Sequence, residues 1–171
     1  MPDVYRDNPN LKRANVQIQY TKEQVQEYQK CMEDPVYFTE NYIKIVSLDE
    51  GLIPFILYEF QRQMMWTFHT ERFTICKLPR QSGKSTTIIA YLLHYCLFNP
   101  TVSVAILANK AVTARDLLGR LQLAYEHLPD WLQQGVMTWN KGSLELENGS
   151  KILASSTSAS AVRGGSYNII F

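Results

Sequence analysis

Apolar residues change their spacing several times along the chain, and each change predicts a different element. Residues 73–78 (FTICKL) form a short, mostly apolar run that stops at Pro79. A polar stretch, Arg80-Gln81-Ser82-Gly83-Lys84-Ser85, follows, and behind it lies a mostly apolar segment free of glycine and proline. That order predicts a strand, a loop and a buried helix. Residues 102–108 (VSVAILA) are almost continuously apolar, as in a parallel strand covered on both faces. From 111 to 128, Leu117, Leu118, Leu121 and Ala124 share one helical side, and Pro129 limits the helix. Over 136–154 the pattern turns to alternation. Leu144-Glu145-Leu146-Glu147, then Asn148-Gly149 and Lys151-Ile152-Leu153, predict a hairpin with a type I′ turn and both glutamates on a solvated face. Residues 167–171 (YNIIF) begin another buried strand.

The first third of the chain is more polar. Residues 1–19 show no periodicity, and they read as a mobile or draped arm carrying Arg6, Lys12 and Arg13. Thr21-Lys22-Glu23-Gln24 is a capping-box signature that opens a helix running to about residue 33, where Asp34-Pro35 ends it. A second helix-like stretch covers 36–45. Residues 43–50 (IKIVSLDE) have the look of an apolar strand ending in paired carboxylates. Lys44 and Ser47 interrupt the run, however, and it precedes the loop at 80–85, so a loop or helix end is expected there. Residues 52–66 lead through Pro54 into a helix carrying Gln61. Strand-helix-strand-helix order with these lengths predicts an α/β fold with a mainly parallel sheet flanked by helices.

Composition adds boundaries. At 171 residues the chain is long enough for one domain with a real core. A formal net charge of +1 shows no global basic bias, so composition gives no support for nucleic-acid binding and leaves a local patch open. The three cysteines, Cys31, Cys76 and Cys96, are odd in number and widely spaced, and they read as buried thiols in a reducing compartment. No signal peptide is present and no apolar run approaches the roughly 20 residues a membrane helix needs, so the reading is a soluble, intracellular protein.

The chemistry concentrates at Gly83-Lys84-Ser85, which has the spacing of a Walker A motif. Backbone N–H groups from Gln81 to Thr86 can turn inward as an anion cradle, reinforced by the helix N-terminus. Gly83 lets the backbone approach a phosphate, Lys84 reaches β/γ oxygens and the Ser85 hydroxyl can ligate Mg²⁺. The usual pattern wants glycine at position 78, where this chain has Leu78. An ordinary strand-loop-helix with an exposed lysine is the bland alternative. Upstream, the Gln61 amide offers a donor and an acceptor that match an adenine edge, and Tyr58 or Phe55 offers a stacking ring. Equally, Gln61 can be a residue of an amphipathic helix that faces water.

These residues together resemble the ATPase region of the large terminase subunit of tailed bacteriophages, the DNA-packaging motor, and most closely the T-even type. The resemblance runs from about residue 20 to 171 through KCMEDPVYFTENY, YEFQRQMM, PRQSGKST, LPDWLQQGVMTWNKGSLELENGS and AVRGGS. In that family the phosphate loop lacks its first glycine and carries Arg-Gln before the Gly-Lys, so Leu78 and Arg80-Gln81 become supporting details. The resemblance implies an adenine-recognising role for Gln61, an arginine finger in cis at Arg80, and phosphate and magnesium contacts from Lys84 and Ser85. It also implies a role in trans, or a bracing role, for Arg163. The bound set becomes ATP and Mg²⁺, with Tyr58, Gln61, Arg80, Gln81, Ser82, Gly83, Lys84, Ser85 and Thr86 around the nucleotide. Double-stranded DNA, a portal protein, a small terminase subunit and a homo-oligomeric ring on the capsid are the implied partners, with no membrane. The implied location is the host cytoplasm, transiently at the portal vertex.

The expected fold is thus a P-loop NTPase of the additional-strand class. Residues 1–50 would form the arm and helical segment, and residues 51–171 an ATPase domain incomplete before Walker B, with the family's nuclease domain absent. Without the Walker B carboxylates, this chain is expected to hydrolyse ATP poorly or not at all. Two alternatives remain: part of a helicase-like nucleic-acid translocase, or a non-catalytic assembly module.

Overall fold

A computed structural model of the chain describes residues 3–47, 49–157 and 165–171. Two helices open the helical layer. Helix α1 (Lys22–Glu33) starts with the full capping box: Thr21 Oγ1 accepts from Gln24 N–H at 3.2 Å and Gln24 Oε1 from Thr21 N–H at 3.0 Å. Asp34 ends it and caps α2 (Pro35–Tyr42), accepting the N–H groups of Val36 and Tyr37, while Pro35 occupies a first-turn position where no amide is needed. Helix α3 (Glu59–Thr70) follows, then α4 (Lys84–Phe98) and α5 (Ala111–Glu126). Helix α4 is apolar nearly all round because it is buried nearly all round, packed against α2, α3 and α5. Helix α5 in turn lies on the sheet, with Ala114, Leu118, Leu121, Ala124 and Tyr125 buried.

Among the described residues the main sheet has five strands. Strand β5 (Ser103–Ala108) runs parallel to β8 (Lys151–Ser156) on one side and to β9 (Ile169–Ile170) on the other. Strands β6 (Val136–Trp139) and β7 (Ser143–Leu146) extend it as an antiparallel meander, giving the order β6-β7-β8-β5-β9. The sheet is therefore mixed, not mainly parallel, because strands joined by short turns can pair only antiparallel. The α/β class expected from the sequence is present.

Several local expectations need correction. Residues 73–78 form no strand: they lack a ladder partner among the described residues, and Phe73 and Ile75 are 84% and 96% exposed. β-rich composition makes a strand only where a neighbour supplies the hydrogen bonds. The arm at the N-terminus includes a hairpin, β1 (Val4–Tyr5) and β2 (Asn8–Lys12), anchored by buried Leu11. Gln133 fixes it by accepting from Lys12 N–H and donating to the Asn10 carbonyl. Residues 43–50 contain a strand, β3 (Lys44–Ser47), paired antiparallel with β4 (Gly51–Pro54). At Asn148-Gly149 only Gly149 has a positive φ (82°), and Leu146 O accepts from Gly149 N–H while Ser150 O accepts from Leu146 N–H. That is a G1-bulge hairpin, since type I′ needs positive φ at both central residues. Glu147 is half-buried, not solvated: Gly135 and Asn15 donate their N–H groups to it and Lys12 lies 3.4 Å away. Cys31 and Cys96 are free, buried thiols; Cys76 is only partly covered.

Candidate functional site

A cleft of about 480 Å³ opens between the start of α3, the β3 strand and the loop before α4. Its walls are mostly apolar. Ile45, Phe55, Tyr58 and Phe60 form one end, and Leu78, Pro79, Gln81, Ser82, Gly83 and Thr86 form the other, with Gln61 between them.

The aromatic end is set by how α3 begins. Tyr58 is its N-cap residue and is 70% exposed; its ring stacks on Phe60 with centroids 5.9 Å apart and planes 10° from parallel. The chain reaches this position through Glu40 of α2, whose Oε1 accepts from Leu57 N–H and from both Nε and Nη2 of Arg62. One carboxylate oxygen thus ties α2 to the first turn of α3.

The other end is a tightly folded turn. Gln81 and Gly83 both have left-handed backbones, with φ of 62° and 73°. A side chain at 83 would meet a second obstacle, because a Cβ there would sit 2.5 Å from Gln61 Nε2. Glycine fits both demands. Ser82 Oγ donates to the Pro79 carbonyl at 3.0 Å, closing the turn on itself. Helix α4 then starts at Lys84, and its first backbone bond runs from Thr87 N–H to Gly83 O. The amides of Lys84, Ser85 and Thr86 therefore precede the intrahelical ladder, at the positive end of the helix. Among the described residues, no carboxylate lines the cleft to compete with an anion there.

The cleft brings together Tyr58, Gln61, Gln81, Ser82, Gly83 and Thr86 of the residues expected from sequence, and also Phe55. Lys84 is half-buried and folds back, its Nζ donating to the Leu78 carbonyl at 3.3 Å. Ser85 is half-buried in the first turn of α4, and Arg80 is exposed at the mouth of the turn. Arg163 lies outside the described residues. Gln61 does not face water: it is 2% exposed, with Oε1 accepting from Tyr58 N–H at 2.9 Å and Nε2 donating to the Ser82 carbonyl at 3.2 Å. Sequence reasoning missed Ile45 and Phe60. Ile45 comes from the β3 strand, in a stretch read as a loop or helix end, and Phe60 lies two residues beyond Tyr58, a spacing that carries no helical-face signal.

Residues 75–171, more than half of the chain, match the family described as "Terminase large subunit, T4likevirus-type, N-terminal". That span contains the turn, α4, and the whole five-stranded sheet. The chain belongs to the T4-like large terminase subunit family, in its N-terminal part, and has a role in phage DNA packaging.

Proposed function

We propose that the cleft binds ATP and that this chain is ATPase machinery of a P-loop NTPase that couples hydrolysis to moving double-stranded DNA into a capsid. The observation that carries this reading is the left-handed turn at Gly83, which delivers the unladdered amides of Lys84, Ser85 and Thr86 beside a cleft with an aromatic far end. A polyphosphate suits the first and a planar base the second. Family membership points the same way.

In this reading Tyr58, held by its stack on Phe60, supports the base, and Gln61 links that end to the turn through Tyr58 N–H and the Ser82 carbonyl. Backbone donors of residues 81–86 hold the phosphates. Lys84 leaves the Leu78 carbonyl, a neutral acceptor, for phosphate oxygens, where a charged hydrogen bond is stronger. Arg80, exposed beside the turn, is placed to approach the same charge in cis. The donor set also suits Mg²⁺, which needs only one or two protein oxygens beside phosphates and water. Ser85 supplies that oxygen, and among the described residues no cluster of three acidic, histidine or cysteine side chains competes for the ion. An ion held there by Ser85 would supply charge neutralisation at the phosphates. Double-stranded DNA, a portal protein, a small terminase subunit and further copies of the chain in a ring are the partners this role requires, in the host cytoplasm. The family match leaves a helicase-like assignment without support.

Lys84→Ala tests the reading. Calorimetric affinity for Mg-ATP is expected to fall about ten- to a hundredfold, the range of a lost charge-assisted bond. The melting temperature should move by no more than about 2 °C, since the bond to Leu78 is a half-exposed one. Unchanged affinity contradicts the assignment.

A further inference from the structure

The Gln61 amide is committed at both ends inside the protein. Its carbonyl holds the Tyr58 N–H, capping α3, and its amino group holds the Ser82 carbonyl in the turn. Reading an adenine edge takes one acceptor and one donor from the same amide. To do so, Gln61 would uncap α3 and release Ser82, leaving a main-chain donor and a main-chain acceptor without partners in a mostly apolar cleft. Ser82 also sits between two left-handed residues, of which Gln81 is not glycine and adopts that backbone at a cost. A bond at Ser82 offsets that cost and fixes the turn. The fit is mutual, because the missing side chain at Gly83 is what admits the Gln61 amide.

We infer that Gln61 is a positioning residue that holds the 80–83 turn in its phosphate-accepting shape through Ser82, and so sets affinity for the polyphosphate irrespective of the base. This rests on the nucleotide-binding reading of the cleft. It departs from base recognition in a way that can be measured.

The test compares the 171-residue chain with Gln61→Ala and Gln61→Glu by calorimetry against Mg-ATP, Mg-GTP and inorganic triphosphate. Gln61→Ala should weaken all three by a common factor, about three- to tenfold, with the ATP-to-GTP ratio unchanged. A loss confined to ATP overturns the inference. Gln61→Glu keeps an acceptor for Tyr58 N–H but sets a carboxylate against the Ser82 carbonyl. Without any ligand, its amides at 81–83 should exchange faster than in the parent while those of α3 exchange at the parental rate. Parental exchange at 81–83 overturns the inference as well. Should Gln61→Ala fail to fold, Gln61→Glu supplies both readouts through its ATP-to-GTP ratio and its exchange pattern. A parent chain that binds none of the three ligands removes the nucleotide reading and the inference with it; an ATP-only loss in a chain that binds removes the inference alone.

Discussion

Individual side chains in this molecule answer for specific losses. His94, on α4, is buried among Phe38, Tyr91 and Phe98, with the exposed His69 of α3 at 6.3 Å. Its Nε2 partner is the Cys31 carbonyl at 2.8 Å, which can only accept, so Nε2 carries the proton and, among the described residues, Nδ1 finds no donor. Burial is the main force pushing its pKa down, to about 4. An unfolded histidine titrates near 6.5. Above that value both states are neutral; between about 6.5 and 4 only the unfolded chain takes up the proton, so stability falls as pH falls. The loss across that window is expected to reach about 3 kcal/mol. Denaturant unfolding from pH 7 to pH 4 checks this, with His94→Leu expected to flatten the profile; an equally steep profile in the variant refutes it. The sequence shows that a histidine sits in an apolar helix. It does not show that one ring nitrogen goes unpaired, which depends on α1 ending against it.

At the scale of elements, what could be read ahead is whatever neighbouring residues decide among themselves. The α1 cap needs only Thr21 and Gln24, the α1–α2 break only Asp34 and Pro35, and α4 only its unbroken apolar run; all three are where the pattern put them. Elements that depend on a distant partner were not legible. Residues 73–78 have strand composition and no ladder; the β1–β2 hairpin has no periodicity and is held by Gln133, more than a hundred positions away. Glu147 shows the same limit. Alternation with leucines puts it outside the core, yet chain folding brings the N-terminal segment over it. Burial opposes its charge, but the N–H groups of Gly135 and Asn15 and the Lys12 ammonium outweigh burial and lower its pKa. Glu147→Ala should therefore loosen the β1–β2 hairpin by about 2 kcal/mol. Hydrogen exchange would report it as faster exchange over residues 4–12 with α4 unchanged; unaltered exchange at 4–12 refutes the anchoring role.

For the molecule as a whole, the cleft is a product of assembly. Helix α2 contributes Glu40, which fixes the start of α3; α3 contributes Tyr58, Phe60 and Gln61; the hairpin contributes Ile45; the turn before α4 supplies the anion end. The sequence marked the turn, because glycine and lysine at a helix start have a local chemical meaning. It left open whether Gln61 faces water, since that is decided by where the turn packs. The central claim is that the amides at the start of α4 receive a polyphosphate. Amide hydrogen exchange across 81–86, with and without Mg-ATP, tests it most directly. At a nucleotide concentration 100 times Kd, these amides should exchange about a hundredfold more slowly. Identical exchange at 81–86 in both samples, at a concentration where calorimetry shows ATP bound, would place the ligand elsewhere and contradict the account.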